Sequence, residues 1–454
     1  MNEREMPEIF GGGLWADQTI VHPLGLTVLA VCLLSLTVLP RRYMFFPLLF
    51  LAVAIPSVQR VAVLSLDFTF LRILILMTLL VAVARGHVRD MRWMPLDTVI
   101  VAWALWSIVG GGLQAGNLGA VVTRTGAAID ALGAFLVGRI YIRSIVDIRT
   151  LCIGVAILAV PTACMFLLEQ STGRNLFSIF GGVPPETIVR QGKLRCQGPF
   201  SHPILAGAFW ATIVPLFLAF WRGRDRRRWT VLLGAGCATF IVFATASSTP
   251  VLTLAAGLAG IMAFSLHRHL ALLMWLGIGV LSILHILMEQ PIWHLISRVD
   301  LAGGSTGWHR YNLINQFILR VDEWWMIGTS YTGHWGWGLQ DLTNQYVLEG
   351  VRGGMLRLLL FALFLYMLFS QIAQRLRHSN SRYEKQVFWG CWVFLFAHAA
   401  GFISVSYFGQ MTSLFFLLAG GIACASMPAW APRPLKRPTS IPVTPPRSGA
   451  AGGN

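Results

Sequence analysis

Charged residues are scarce in this chain. Asp, Glu, Lys and Arg together make up only 12% of its 454 residues, whereas apolar residues make up 56%. A water-soluble fold of this length could not bury so much apolar surface, because protein interiors grow too slowly with chain length. Many segments approach the roughly 20 apolar residues that cross a bilayer core of about 30 Å. The composition therefore excludes a soluble protein and predicts an all-α polytopic membrane protein.

The common motifs of nucleotide and metal chemistry are also missing. The sequence has no P-loop, no Rossmann glycine signature, no HExxH and no DxD-type acid pair for a metal-bound nucleotide sugar. Its seven cysteines show no metal-ligand spacing, and only Cys196 falls in a predicted outer loop, where it has no partner. We therefore expect no disulfide framework, no metal site and no cofactor.

The net charge of +16 follows a topological pattern. The predicted spans lie near 20–39, 44–57, 66–84, 96–112, 126–142, 150–168, 203–221, 229–246, 250–265, 270–288, 354–374, 387–405 and 409–427. Alternate connections hold 22 of the 35 basic residues, which is the positive-inside pattern. It predicts about 12–14 transmembrane helices within residues 1–427 and a cytoplasmic, disordered, Pro-rich tail at 428–454. It argues against nucleic acid as a partner.

Two predicted outer loops, 169–202 and 289–353, are long enough to need a function. The second contains six of the chain's 17 tryptophans, and its apolar spacing between 305 and 328 predicts a helix lying at the membrane interface. Tryptophans such as Trp308 could form an interfacial aromatic belt or stack on sugar rings, and the sequence leaves both readings open.

The first loop ends in a run of cations, "VRQGKLRCQGPFSHP". Arg190, Lys193 and Arg195 precede a turn at Gly198 and a helix start near His202. Guanidinium groups at a helix N-terminus suit a phosphate, although contact with lipid head groups would also explain them. His202 could be a general base, but capping or packing is its more common role.

The second loop ends with "DLTNQYVLEGVRGG", which predicts a polar helix start at Asp341 that continues into the span at 354. On such a helix Asp341, Asn344 and Gln345 would share one face. Asp341 could orient or deprotonate an acceptor hydroxyl, or it could simply be a favourable charge at a helix N-terminus.

Acidic and basic residues also fall inside predicted spans. Arg72 follows Asp67, and Asp130 follows Arg124, in each case near the outer end of a span. Such residues are costly in lipid and are functional candidates by default. A structural Arg–Asp pair between helices is an equally good reading.

Four segments between about residues 120 and 425 resemble the O-antigen ligase and polymerase superfamily of bacterial membrane glycosyltransferases. "RCQGPFSHPILAGAF" is similar to the family's Arg segment before a span, which points to Arg195. "SSTPVLTLAAG" at 247–257 is similar to a small-residue motif, and "HRYNLINQF" is similar to the loop Arg segment, which points to Arg310. "DLTNQYVLEGVRGGMLRL" resembles the family's element at the end of the loop.

Two departures place the chain nearer the polysaccharide-polymerase branch of the superfamily. Thr343 stands where the ligases usually carry His before Asn, so that Asp341 would take the place of the histidine. The middle motif reads "SST" in place of the family's Ser-Arg.

The resemblance implies a GT-C-like fold and a metal-independent enzyme in the bacterial inner membrane, with a periplasmic active site. It would polymerise or ligate undecaprenyl-diphosphate-linked oligosaccharide units onto a glycan or lipid acceptor, with chain-length regulator or export proteins as partners. The expected catalytic residues are Asp341, Arg310, Arg195 and His202, and the expected substrate-binding residues are Arg190, Lys193, Asn344, Tyr346 and Trp308. The alternative readings are a glycolipid transporter or flippase and a non-catalytic membrane scaffold.

Overall fold

A computed structural model describes residues 18–63, 66–221, 226–298 and 307–427. The described chain is helical apart from two short antiparallel hairpins. The helices are α1 (Pro23–Val38), α2 (Phe46–Ala54), α3 (Phe70–Ala84), α4 (Pro95–Ala115), α5 (Leu118–Ala128), α6 (Ala134–Tyr141), α7 (Ile145–Thr172), α8 (Pro203–Trp221), α9 (Arg228–Ala244), α10 (Ser248–Met262), α11 (Leu270–Leu287), α12 (Gly307–Leu319), α13 (Val321–Trp324), α14 (Gln345–His378), α15 (Arg382–Gly401) and α16 (Gln410–Ala425). The strands are β1 (Arg60–Val63), β2 (Leu66–Thr69), β3 (Ile188–Arg190) and β4 (Lys193–Arg195).

The helices agree with an all-α membrane protein. Each of the thirteen predicted spans overlaps a helix, although the span at 126–142 is divided among the end of α5, a π-helical turn at Ile129–Gly133 and α6. Among the described residues, six helical segments could cross a membrane by their length and composition: Pro95–Ala115, Leu118–Tyr141, Ile145–Thr172, Pro203–Trp221, Ser248–His269 and Gln345–His378. Helix α2 has nine residues, so it rises only about 13 Å and is too short for the span predicted at 44–57.

Helices α6 and α16 pack backbone to backbone because glycines line their contact. A Cβ atom on Gly138 would overlap the Leu417 carbonyl oxygen, and a Cβ atom on Gly420 would overlap the Phe135 carbonyl oxygen. Small residues allow such close approach between helices in lipid, where apolar burial gives little driving force and van der Waals contact matters most. The close approach of α6 and α16 therefore requires glycine at both positions.

The second predicted outer loop contains a helix where the apolar spacing predicts one. It forms α12, which buries Leu313 completely and leaves Ile318 on the outside at 45% exposure. The helix predicted to start at Asp341 starts instead at Gln345, because the Asn344 side chain accepts a hydrogen bond from the Val347 backbone N–H and acts as N-cap. Asp341 precedes the helix, so the prediction that it shares a helical face with Asn344 and Gln345 is wrong.

Helix α14 is broken at Gly353 and Gly354. Gly354 has φ +69°, a left-handed conformation that favours glycine. A Cβ atom there would also overlap the Met326 carbonyl oxygen of the second outer loop. The Met355 N–H donates to the Trp325 carbonyl (2.8 Å), so the loop is tied to the break by backbone hydrogen bonding. The tail predicted at 428–454 lies outside the described residues.

We expect Gly138→Ala to destabilise the protein by about 1–3 kcal/mol, because α6 and α16 would have to separate. The measurement is the thermal unfolding midpoint of the detergent-solubilised protein. Gly236→Ala is the matched control, since nothing lies within 4 Å of a Cβ atom there. Equal midpoints for the two variants would show that the backbone contact is not limiting.

Candidate functional site

The first outer loop places three cations on one face of a hairpin. Strands β3 and β4 pair Ile188 with Arg195 and Arg190 with Lys193. Gln191 and Gly192 connect them, both with positive φ, which is the two-residue turn that suits the twist of a hairpin. Because opposite residues of an antiparallel pair point to the same side, Arg190, Lys193 and Arg195 share a face.

Buried polar groups hold the base of this hairpin. The Glu169 carboxylate, at the end of α7, accepts hydrogen bonds from the backbone N–H groups of Gln197 (3.1 Å) and Gly198 (3.0 Å). The Asn175 side-chain amide donates to the Gly198 carbonyl (2.8 Å). Glu169 and Asn175 are each 2% exposed. These contacts fix the turn predicted at Gly198 and therefore the position of Arg195.

Arg195 and Arg310 come from different outer loops and meet at the start of α10. The Arg195 guanidinium donates to the Ser247 hydroxyl (2.8 Å), and the Arg310 guanidinium donates to the Thr249 hydroxyl (2.9 Å). Both arginines are 7% exposed. Ser247 and Thr249 lie two residues apart, so both predicted arginines reach the start of α10, and we call them the arginine pair.

The arginine pair lacks charge compensation from the described part of the chain. No carboxylate oxygen of a described residue lies within 4.0 Å of either guanidinium. The Nε–H of each is buried without a hydrogen-bond acceptor there. Burial, together with the positive charge of Arg190, lowers the pKa of both guanidinium groups. Two desolvated cations at a helix N-terminus form a site for an anion with several oxygens.

His202 lies beside the pair and acts as a helix cap. Its Nδ1 accepts a hydrogen bond from the Ile204 backbone N–H (3.1 Å) at the start of α8. Burial and the charges of Arg195 and Arg190 lower its pKa to about 3. His202 is therefore neutral at physiological pH, and Nδ1 is occupied. This geometry favours the capping reading that the sequence left open.

Asp341 lies on the far end of the second loop, beside His309. The His309 Nε2–H donates to the Asp341 carbonyl oxygen (3.2 Å). Burial raises the pKa of the Asp341 carboxyl, and the charge of His309 offsets part of that rise. The Thr343 hydroxyl is buried close by in the chain, with no hydrogen-bond partner among the described residues. Asp341 makes no ion pair with Arg195 or Arg310, but His309 directly precedes Arg310 on α12.

The predicted substrate-binding residues divide into two groups. Arg190 and Lys193 accompany the arginine pair on the hairpin, and Trp308 is 61% exposed on α12. The polar groups of Asn344 and Tyr346 are occupied by hydrogen bonds within the protein and do not contact the arginine pair. The Asn344 amide donates to the Ile403 carbonyl (2.9 Å) while its oxygen caps α14, and the Tyr346 hydroxyl donates to the Ala399 carbonyl (3.0 Å). Both serve the packing of α14 against α15.

Sequence reasoning missed several residues that build the site. Ser247 and Thr249 belong to the "SST" segment, which was noted only as a small-residue motif, although its hydroxyls are suitable acceptors for arginine. Glu169 is an isolated acid near the end of a predicted span, which is an available signal for a buried anchor. His309 precedes the predicted Arg310 but was not assigned a role.

His202→Asn should make the protein less sensitive to acid. The pKa of His202 is about 3 in the folded chain and about 6.5 in an unfolded one, so the unfolded state binds the extra proton between these values. Stability contributed by the neutral ring is therefore present above pH 6.5 and is lost as the pH falls towards 3. Asparagine keeps the cap without titrating. Thermal midpoints between pH 7 and pH 4 should fall less in the variant, and parallel curves would contradict the prediction.

No protein-family model matches the chain, and no curated protein matches it. Among the described residues, no group of three or more His, Cys, Asp or Glu side chains could hold a metal ion. The site is therefore characterised by its own chemistry, which is an arginine pair at a helix N-terminus without a carboxylate partner among the described residues, with Asp341 and His309 on the loop that carries Arg310.

Proposed function

We propose that this chain is a GT-C-like glycosyltransferase of the bacterial inner membrane. It transfers oligosaccharide units from an undecaprenyl-diphosphate carrier to a glycan or lipid acceptor, as a polymerase or a ligase in polysaccharide biosynthesis. Chain-length regulator or export proteins are the expected partners. The distribution of basic residues supports a cytoplasmic C-terminus and a periplasmic site.

The arginine pair is the observation that carries this proposal. Two guanidinium groups from separate loops are held by hydroxyls, and the Nε–H of each has no acceptor among the described residues. A diphosphate offers the charge and the oxygen geometry that arginine binds with paired hydrogen bonds. A carrier anchored in the bilayer would bring its diphosphate to the ends of the membrane helices, where α8 and α10 begin.

The proposed reaction is a displacement at the anomeric carbon. A hydroxyl oxygen of the acceptor forms a bond to that carbon, while the bond from the carbon to the carrier diphosphate breaks. Arg195 and Arg310 stabilise the negative charge that develops on the leaving diphosphate. Attack from the opposite face gives inversion of configuration.

The acceptor proton needs a base, and Asp341 is the candidate. Its buried carboxyl has a raised pKa, which strengthens a carboxylate as a base. When neutral, His309 donates through Nε2 and leaves Nδ1 as a second acceptor nearby. His202, which was expected to assist Asp341, is a poorer candidate because Nδ1 is used in capping α8.

Replacing either member of the arginine pair should abolish most transfer. We expect Arg195→Ala or Arg310→Ala to lower the rate by about 10²-fold, since each removes a donor that meets charge in the transition state. The assay uses purified protein with an undecaprenyl-diphosphate-linked oligosaccharide. Arg320→Ala is the matched control, because Arg320 forms a partly exposed ion pair with Glu323 (2.9 Å) elsewhere on the same loop.

The products of this assay separate the alternatives. Longer chains identify a polymerase, and transfer to a different acceptor identifies a ligase. Movement of the glycolipid across vesicles without bond formation identifies a transporter. Unchanged transfer in both arginine variants, with normal membrane abundance, would refute the site.

Asp341→Asn should lower transfer by roughly 10²- to 10⁴-fold if Asp341 is the base. In the wild type, the rate should decrease as the pH falls through the raised pKa of Asp341, because protonation removes the basic form. The measurement is the pH–rate profile of wild type, Asp341→Asn and His309→Gln. An acid limb that persists in Asp341→Asn but disappears in His309→Gln would transfer the role to His309.

A further inference from the structure

A second cluster of charges surrounds a partly open cavity among α4, α5, α14 and α16. The cavity has a volume of about 150 Å³, which is room for a head group rather than a single water molecule. Its wall includes Asp130, Glu349, Arg352 and Arg357 together with Trp103 and several phenylalanines. Neither member of the arginine pair lines it.

The acids of this cavity are already saturated. Glu349 is fully buried and accepts from the Trp103 indole (2.9 Å) and the Gln345 amide (2.6 Å), and it lies 2.7 Å from the Arg357 guanidinium. Both carboxylate oxygens of Asp130 accept hydrogen bonds from the Arg72 guanidinium, at 3.0 and 2.7 Å. Each carboxylate therefore compensates one arginine and has little capacity for another.

Arg124 is a further cation close to the cavity wall. It lies one turn before Ala127 and Ala128, which line the cavity, and its stem packs over Gly111. It is within electrostatic range of Arg352, Arg357 and Glu349. No described residue gives it an ion pair or a hydrogen bond. An uncompensated guanidinium inside a membrane helix is costly, and such residues usually mark a ligand path.

The backbone around the cavity is irregular on two sides. Residues Ile129–Gly133 form a π-helical turn between α5 and α6, which sets Asp130 into the wall. The break at Gly353 and Gly354 separates Arg352 from Arg357. π-Turns and non-helical backbone at membrane depth are typical of functional cavities.

The cavity adjoins the first outer loop. Gly409 lines it, and a Cβ atom on Gly409 would lie 2.9 Å from the Ser57 hydroxyl and 3.4 Å from the Ser201 hydroxyl. Ser201 directly precedes His202. The Gln410 amide also donates to the Pro199 carbonyl (2.8 Å). A molecule in the cavity would therefore lie against the loop that contains Arg195.

We propose that this cavity binds the phosphate head group of a membrane lipid as a second anion site, distinct from the arginine pair. Arg124 and Arg357 supply the charge, and the aromatic wall accommodates the apolar part next to the head group. The phosphate could belong to a prenyl carrier or to a glycerophospholipid. The proposal uses no step of the transfer reaction, so it stands or falls separately from the proposed function.

The test is a binding titration of the full-length protein in detergent with farnesyl monophosphate and, separately, with short-chain phosphatidylglycerol. An Arg195→Ala/Arg310→Ala background removes the first anion site and should leave one lipid bound. Adding Arg124→Gln to this background should raise the dissociation constant about tenfold or more, because a charge-assisted contact is lost. Adding Arg320→Gln instead should not change it.

Tighter binding of farnesyl monophosphate would support the site with a prenyl carrier as its source, and tighter binding of phosphatidylglycerol would support it with a phospholipid. Thr412→Phe, which fills the cavity without changing charge, should block either lipid. If the double-alanine background does not fold, wild type should bind two lipids and Arg124→Gln one. Equal affinity with and without Arg124→Gln, or binding that survives Thr412→Phe, would overturn the proposal.

Discussion

A guanidinium group removed from water needs a hydrogen-bonding or charged partner. This requirement explains why several buried arginines of the chain lie next to a carboxylate. Asp97 and Arg139 are 0% and 1% exposed and form a double hydrogen bond at 2.8 Å between α4 and α6. Arg72 forms a second double hydrogen bond with Asp130, and Arg357 forms a close ion pair with Glu349 (2.7 Å). Such pairs cost desolvation energy but would cost more if one partner were lost. Against this background, arginines held only by hydroxyls are exceptions, and they mark where a ligand would complete the pairing.

Much of the fold could be predicted from hydropathy alone. Each apolar run corresponds to a helix, because backbone groups in lipid must bond within their own segment. A structural Arg–Asp pair was also predicted, without its partners being named. In the structure the pair joins Arg72 to Asp130, and Arg124 takes no part in it. The start of α14 could not be read from the charges, because Asp341 and Asn344 are both good caps and packing against α15 decided between them.

The candidate site was predictable only in part. The sequence predicts Arg195 and Arg310 as two functional loop arginines. Their spacing in the sequence does not show that both reach α10. That meeting depends on Glu169 and Asn175, which hold the hairpin through contacts between distant segments. The role of His202 was open in the sequence because capping and catalysis use the same ring. Its hydrogen bond to the Ile204 N–H could be seen only in three dimensions.

The break in α14 has a mechanical consequence. The Thr329 N–H donates to the Val351 carbonyl (2.9 Å), and the Met355 N–H donates to the Trp325 carbonyl (2.8 Å), on either side of the two glycines. The aromatic segment after α13 is therefore hydrogen-bonded to both halves of α14. Any movement of that segment must therefore also move the short N-terminal half of α14, from Gln345 to Arg352. Displacement of the aromatic segment would then also displace Glu349, which lies on this half of α14 inside the bundle.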